Sequence, residues 1–149
     1  MSRRHDARET ALQVLYSCEV GGVAAGEALE AFFEGHAPDA PPALRTFAGE
    51  LVRGTLDALP ALDVLIASHS VHWRIDRLAI IDRLILRMVI WELQHQPDTP
   101  PAVVIDEAIE LARTFSTEGS VAFVNGILDG VRKTLEGERG SSERGSSES

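Results

Sequence analysis

The apolar residues of this chain recur at helical spacing along most of its length, and this spacing constrains the fold more than any other feature. The strongest case is the segment from Ile75 to Gln94, where apolar side chains cover most of the circumference of a helix. A helix that is apolar on nearly all sides has to be surrounded by other elements. No run shows the two-residue alternation typical of a half-buried strand. The sequence therefore predicts an all-α fold with this helix at its centre.

Breaks in the apolar pattern divide the chain into about seven helices. The breaks are Gly21-Gly22, the proline-rich loop at 36–42 and the prolines near residue 100. Proline removes a backbone donor, and glycine commonly ends a helix. Pro60 fits the first turn of the fourth helix. The predicted helices cover residues 7–20, 24–34, 43–59, 60 onward, 75–94, 102–115 and 120–135.

Length and composition favour one domain followed by a short tail. Residues 1–135 contain the helical pattern, and 44% of the chain is hydrophobic, as is usual for a globular protein. Residues 136–149 are dominated by Gly, Ser and charged residues, which cannot bury enough apolar surface to become ordered. We therefore predict a single compact helical domain over residues 1–135 and a disordered tail over residues 136–149.

The charge of the chain is unevenly distributed. The net charge of −9 taken alone disfavours nucleic-acid binding, which normally requires a basic surface. Residues 1–8, however, contain three Arg and one Asp, whereas residues 9–149 contain 11 basic and 22 acidic side chains. We therefore expect any polyanion to be contacted by the N-terminal residues.

The sequence lacks the features of membrane insertion and export. Asp82, Arg83 and Arg87 interrupt the longest apolar segment, which leaves no run of about 20 apolar residues. The N-terminus has no apolar region of about 7–15 residues that would indicate an export signal. The single cysteine, Cys18, cannot form an internal disulfide. These observations predict a cytoplasmic protein that does not enter a membrane.

Two groups of side chains were candidates for a metal site and a catalytic site. His69 and His72 are three residues apart, but a zinc site needs further ligands and none of familiar spacing is nearby. Asp106, Glu107 and Glu110 lie in the first turns of a helix, where the helix dipole favours acidic residues. The sequence contains no phosphate-binding glycine loop and no nucleophile motif. We therefore expect no metal, no cofactor and no catalysis.

Two residues inside predicted helices require structural partners. Arg87 lies in the central helix, where a buried guanidinium needs a carboxylate, and Glu92 and Asp129 are the candidates. Gly126 lies inside the last helix, where glycine costs about 1 kcal/mol relative to alanine. We expect the backbone of another element to pack closely against Gly126.

Four blocks of the sequence occur together in the order and spacing of a known family. They are Arg8–Tyr16, Ile81–Leu93, Val104–Arg113 and Phe123–Asp129, of which the last is the most specific. Through these blocks, residues 3 to 133 resemble the NusB family of bacterial transcription antitermination factors. The resemblance implies a fold of two helical subdomains, with the proline-rich loop near their boundary, and no enzymatic activity.

The resemblance also implies a function and a set of partners. NusB proteins form a heterodimer with NusE, a ribosomal protein of the small subunit, and the pair binds single-stranded boxA RNA in nascent transcripts. The pair then joins RNA polymerase, NusA and NusG and supports processive transcription of ribosomal RNA operons. The expected function of this chain is therefore RNA binding within an antitermination complex.

Individual positions match functional positions of the family. Arg3, Arg4 and Arg8 resemble its arginine-rich RNA-binding leader, and Gln13 and Tyr16 follow on the same helix. Phe123 resembles an aromatic position beside the RNA, where it would stack on a base. Asp82 resembles an acidic position that faces the basic partner. The resemblance thus implies RNA binding by Arg3, Arg4, Arg8, Gln13, Tyr16 and Phe123, and partner binding by Asp82.

Two other functions are compatible with the same sequence features. A related helical domain forms the RNA-binding part of ribosomal RNA cytosine methyltransferases, but we expect no methyl-donor domain here, because the residues after 135 are too few to form one. The strong negative charge also suits a protein-interaction module or a homodimer that binds little RNA. His5 and Asp6 stand where the family leader is often basic, so we expect this chain to bind RNA weakly without its partner.

Overall fold

The computed structural model describes residues 3–70 and 74–147, and it describes side chains within 4–70 and 74–140. All regular structure in these ranges is helical, which confirms the predicted fold class. No helix among them combines the length and apolar character needed to cross a bilayer. The helices are α1 (Arg3–Gly21), α2 (Ala25–His36), α3 (Pro42–Asp57), α4 (Leu59–His69), α5 (Ile80–His95), α6 (Pro101–Phe115) and α7 (Glu118–Ser147), with a 3₁₀ turn at Ile75–Arg77.

The helices form two groups that meet at α5. In the first group α1 packs against α3 and α2, and in the second α5, α6 and α7 pack against one another, with α4 against α5 and α7. Helix α5 also contacts α1 and α3. Every residue from Leu84 to Ile90 is buried. The prediction of a central, enclosed helix is therefore confirmed.

The central helix begins later than its apolar pattern predicts. Ile75–Arg77 forms a 3₁₀ turn, and Leu78 and Ala79 then adopt extended backbone before α5 starts at Ile80. The side chain of Leu78 is nevertheless buried, and Ile75 packs against the core. Apolar spacing therefore continues through a break in the helix, because the residues around the break also contribute to the core.

Prolines mark the starts of three helices, and a glycine marks the end of α1. Pro42, Pro60 and Pro101 lie in the first turns of α3, α4 and α6. Their missing N–H groups would have no intrahelical partner at these positions. Gly22 follows α1 with a φ of 66°, a left-handed conformation that glycine adopts without steric cost. These residues fix the lengths of the helices around the core.

Helix α7 extends well beyond its predicted end at Leu135. It continues to Ser147. Arg132 pairs with Asp129 and Glu136 on the helix surface, and Arg139 Nη2 donates to the backbone oxygen of Leu93 at 3.0 Å. The second contact satisfies a carbonyl at the end of α5, where positive charge is favoured. Composition alone does not reveal such a long-range contact.

Close backbone packing occurs at glycines other than the predicted one. Among the described residues, no atom outside the adjacent backbone of α7 would lie within 4 Å of a Cβ added to Gly126, so that prediction is wrong. At Gly54, by contrast, a Cβ would overlap two ring carbons of Trp91, and at Gly130 it would lie 2.7 Å from Nδ1 of His69. These two glycines allow α5 to approach α3 and α4 to approach α7.

The partner of Arg87 also differs from the prediction. Its Nε and Nη2 donate to the two carboxylate oxygens of Asp63 at 2.7 and 2.8 Å, and Nη1 lies 3.8 Å from Oε2 of Glu19. Neither Glu92 nor Asp129 is its partner. Asp63 belongs to α4, so the bidentate pair links α4 to the central helix. The prediction is wrong because the sequence does not show that α4 is the helix that packs against this side of α5.

We predict that Gly54→Ala destabilises the fold by about 1–3 kcal/mol, because the new methyl group overlaps the Trp91 ring and forces it to move. Urea denaturation measures the effect. Gly126→Ala is the matched control, since it adds the same group to a helix in open space. The control is expected to be neutral or to stabilise by up to about 1 kcal/mol. Equal effects of the two substitutions would contradict this prediction.

Candidate nucleic-acid interface

The first turn of α1 places one leader arginine at the surface. Arg4 is exposed, its Nη1 donates to Oγ1 of Thr99 at 2.6 Å, and its guanidinium carbon lies 4.6 Å from the centre of the Phe47 ring. A cation over an aromatic face is attracted by the ring quadrupole. Arg3 begins α1, but its side chain lies outside the described residues. Arg4 is thus an ordered, accessible cation.

Arg8 does not lie on this surface, which corrects the prediction that it binds RNA. Its side chain is 2% exposed and that of Glu92 is fully buried. Arg8 Nε donates to Oε1 of Glu92 at 2.8 Å, Nη2 donates to Oε2, and Nη1 lies 3.6 Å from Oε2 of Glu107. The guanidinium is enclosed and already paired with carboxylates. It has no free face for a phosphate.

The buried pair joins the first helix to the central helix. Burial alone would lower the pKa of Arg8, but the hydrogen bonds and the negative charges of Glu92 and Glu107 raise its pKa above the usual value. The Arg8 guanidinium therefore stays charged in the folded chain. Two parallel hydrogen bonds also fix its geometry. Arg8 positions α1 against α5 instead of binding a ligand.

His5 extends this network towards solvent. Its Nδ1 lies 2.7 Å from Oε2 of Glu107, and its Nε2 lies 3.0 Å from Oε1 of Glu9. The hydrogen bond with Glu107 is the largest of the causes that raise the pKa of His5 above 6.5. Glu107 thus contacts both His5 and Arg8. The His5 imidazole links α1 to α6 beside the exposed Arg4.

Gln13 and Tyr16 lie together in an open groove. The groove has a volume of about 450 Å³ and is bordered by α1, α2, α5 and α6. Tyr16 is 42% exposed, and the Gln13 amide is also exposed. On the α2 side the His36 ring lies 5.0 Å from the ring of Phe32. The groove therefore combines aromatic faces with an amide and an imidazole that can form hydrogen bonds.

Phe123 lies in a second groove, next to the start of α5 and α7. This groove has a volume of about 280 Å³, and Arg77 and Thr117 line it as well. Phe123 is only partly buried. Ile81 borders the first groove and its neighbour Asp82 borders the second. The two grooves are therefore adjacent at the beginning of α5.

Asp82 is buried and therefore not available to a partner, contrary to the prediction. It is 6% exposed, and its two carboxylate oxygens accept hydrogen bonds from Oγ of Ser116 and Oγ of Ser120, each at 2.7 Å. These serines flank the start of α7. Negative charge is favoured near the N-terminus of a helix. Asp82 therefore holds the first turn of α7, and Phe123 lies in the next turn of the same helix.

The structure brings some of the predicted residues together and separates others. Gln13 and Tyr16 share one groove, and Phe123 lies in the neighbouring one. Arg4 lies at the end of α1, and Gln13 lies on about the opposite side of that helix, since nine residues make about two and a half turns. The exposed residues therefore do not form one continuous line along α1.

Phe47 and Thr99 are functional candidates that the sequence alone does not reveal, and Glu107 stands out there only as a member of an acidic cluster. Phe47 packs beneath Arg4, with Arg8 at 5.7 Å from the ring centre, and Thr99 accepts from Arg4. The only sequence feature that pointed to this contact was the aromatic side chain of Phe47 at the edge of the inward face of α3. The roles of these residues depend on contacts between distant segments. A single sequence without its fold does not reveal them.

The histidine and acidic candidates have structural contacts. His69 Nε2 lies 3.1 Å from Oγ1 of Thr134, whereas His72 lies outside the described residues. Glu110 pairs with Arg113 at 2.6 Å, and Asp106 is exposed. In the part of the chain that the structure describes, no group of three or more His, Cys, Asp or Glu could hold a metal ion.

We predict that Arg8→Ala lowers the free energy of unfolding by about 3–5 kcal/mol, because it leaves the buried Glu92 carboxylate without its partner. Urea denaturation measures the loss. Arg8→Met combined with Glu92→Leu should recover most of it, since no unpaired charge remains. Arg4→Ala is the surface control and should change stability little. A small effect of Arg8→Ala would show that the pair does not fix α1.

The raised pKa of His5 predicts a pH-dependent contribution to stability. A group with a raised pKa in the folded state stabilises it fully below the unfolded pKa of about 6.5, and this contribution is lost as the pH rises through the folded value. The difference in unfolding free energy between the unchanged chain and His5→Gln should therefore be larger at pH 6 than at pH 8.5. Urea titrations at both pH values measure it. A difference that is constant or grows with pH would contradict the assignment.

Comparisons with known proteins place this arrangement in one family. The model of the NusB family matches residues 5–133. The chain is 45% identical over 139 residues to the transcription antitermination protein NusB of Myxococcus xanthus, covering 91% of this chain and 98% of the relative. It is 42% identical over 135 residues to that of Sorangium cellulosum, covering 91% and 95%.

Solved structures agree with this match. T. maritima NusB is similar with a TM-score of 0.81 and 32% identity, covering 89% of this chain and 92% of that chain. A crystal structure of the antitermination factors NusB and NusE in complex with dsRNA contains a chain with a TM-score of 0.82 and 28% identity, covering 90% and 98%. The family model and the relatives both extend over most of the chain. The chain therefore belongs to the NusB family of transcription antitermination proteins.

Proposed function

We propose that this chain is a non-enzymatic RNA-binding antitermination factor that acts as a heterodimer with NusE. The observation that carries the proposal is the open groove in which the exposed Tyr16 ring and the Gln13 amide lie side by side. An aromatic face stacks on an unpaired base, and an amide forms hydrogen bonds with base edges. The solved complex of NusB and NusE with dsRNA supports the same assignment.

The exposed residues have distinct roles in this proposal. Tyr16 stacks on a base, Gln13 contacts its edge, and Phe123 offers a second aromatic surface in the adjacent groove. Arg4 contacts a phosphate, for which its fixed position over Phe47 prepares it. Arg3 precedes it as a second leader cation. Arg8 affects RNA binding only indirectly, because it fixes the position of α1.

A partner is needed because the chain itself is strongly anionic. With a net charge of −9 and few accessible cations near the grooves, its electrostatic attraction for RNA is small. A basic protein such as NusE would supply the missing positive surface. Asp82 influences this assembly indirectly, because its hydrogen bonds with Ser116 and Ser120 hold the start of the helix that carries Phe123. It is not itself the docking residue.

The finer assignments follow the family resemblance. We propose boxA-type single-stranded RNA as the ligand, and RNA polymerase with NusA and NusG as the larger assembly in the cytoplasm. In that assembly the pair supports processive transcription of ribosomal RNA operons. The chain contributes RNA recognition and a protein surface, and it catalyses no reaction.

We predict that NusE increases the affinity of the chain for a boxA oligonucleotide, measured by fluorescence anisotropy. Tyr16→Ala should weaken binding by about 1–3 kcal/mol, the usual value of one base stacked on an aromatic ring. Arg4→Ala should reduce the slope of log K against log salt by about 0.7, as expected for one lost contact with a single strand.

Lys133→Ala is the control, because it removes an exposed cation on α7 that neither groove includes. A lack of RNA binding both with and without NusE would refute the proposal. If NusE binds normally but Tyr16→Ala and Arg4→Ala leave RNA affinity unchanged, the chain is a protein-interaction module. Light scattering in the same buffer reports whether it forms a homodimer.

A further inference from the structure

A third groove lies on the outer face of α3, apart from the two grooves described above. It has a volume of about 440 Å³, and its walls include Arg45, Gly49, Arg53, Gly54 and Trp91. None of these residues lines either of the other grooves. The groove therefore presents two cations and an aromatic ring that the proposed function does not use.

Arg45 is held in place by the loop before α3. Its Nε and Nη2 donate to the backbone oxygens of Ala40 and Pro38 at 3.0 and 2.7 Å, and its guanidinium carbon lies 4.9 Å from the centre of the Phe33 ring. These neutral partners leave the positive charge uncompensated. The side chain is exposed and ordered. It therefore contacts an anion at a low cost in conformational entropy.

Arg53 lies two turns further along α3. Its Nη1 and Nη2 lie 3.8 and 3.6 Å from the positions that Cβ atoms would occupy on Gly49 and Gly26. Among the described residues, no carboxylate and no hydrogen-bond acceptor pairs with Arg53, and its side chain is exposed. The two guanidinium-bearing residues are eight positions apart, or about 12 Å along the helix. This distance suits two phosphates on a short stretch of extended single-stranded nucleic acid.

Trp91 forms the aromatic wall of the groove. One face of its indole stacks on His95 at 4.8 Å, and the absence of a side chain on Gly54 lets the ring lie against α3. The ring is only partly buried. The indole is therefore held rigidly while part of it lines an open surface. A base can stack on such a ring without regard to sequence.

The charge of the groove is opposite to that of the whole chain. Arg45 and Arg53 outweigh the one acidic residue that lines it, Glu50, which accepts from Nε2 of Gln96 at 3.4 Å. Arg4 is not far from this groove, because Phe47, which lies beneath Arg4, is one helical turn from Glu50.

We propose that this groove binds a flanking segment of the same single-stranded RNA, with phosphates on Arg45 and Arg53 and a base beside Trp91. The inference rests on the proposed RNA-binding function and extends it to nucleotides outside the core element. Cations alternating with an aromatic ring are typical of grooves that bind single strands without sequence preference. An acidic protein segment is less suited, because the walls contain no apolar pocket besides Trp91.

The test compares a core boxA oligonucleotide with one extended by several nucleotides at either end, using the full chain with NusE. The extended RNA should bind about five- to tenfold more tightly, as expected for one further stacked base and its phosphates. Arg53→Ala should abolish this gain and leave the core RNA unaffected. Glu50→Gln should increase the gain, and Lys133→Ala is the charge-matched control.

Trp91 provides a second readout. Trp73 and Trp91 are the two tryptophans of the chain, so Trp73→Phe leaves Trp91 as its sole indole. Its fluorescence should be quenched by the extended RNA and not by the core RNA. The test uses Arg53→Ala instead of Arg45→Ala, because Arg45 also holds the loop through its hydrogen bonds with Pro38 and Ala40.

The possible results separate the inference from the proposed function. If neither RNA binds, the proposed function fails and the inference fails with it. If the core RNA binds but the extension adds no affinity, or the gain survives Arg53→Ala, only the inference is overturned. The inference is also overturned if an acidic peptide binds and Arg53→Ala weakens that binding, while the extended RNA binds no more tightly than the core RNA. The groove would then bind a protein partner.

Discussion

The buried ion pair between Arg8 and Glu92 is the interaction on which the remaining geometry depends. A fully enclosed carboxylate in the central helix requires a fixed cation, and the first helix supplies it. The pair sets the position of α1 against α5 and places Arg8 near Phe47 of α3. The positions of Arg4 and of the groove that contains Tyr16 follow from that placement of α1. The surface that contacts RNA in our proposal is thus positioned from within the core.

The leader arginines consequently have two different roles. Arg8 is inside and structural, whereas Arg4 is outside and accessible. A protein with a net charge of −9 therefore keeps fewer cations for its ligand than its sequence suggests. This deficit agrees with a factor that depends on a basic partner. The groove with Arg45 and Arg53 supplies further positive charge at a place that the N-terminal cluster does not indicate.

Local features of the fold were predictable, whereas long-range pairings were not. The continuous apolar run predicted a central helix, and prolines predicted helix starts, because both act through neighbouring residues. The burial of Arg8 depends on Glu92, which is distant in sequence, and the burial of Asp82 depends on two serines beyond α6. Family resemblance assigns such positions to a surface or a partner. Only the fold shows which side of a helix each charge occupies.

NMR of the arginine Nε–H groups tests the central claim most directly, because it observes Arg4 and Arg8 separately in one sample. If the buried pair positions α1, the Arg8 signal exchanges slowly with solvent and stays unchanged when RNA and NusE are added. The Arg4 signal should exchange rapidly in the free chain and shift on binding. A shift of the Arg8 signal on RNA binding, or rapid exchange of Arg8 in the free chain, would contradict the account.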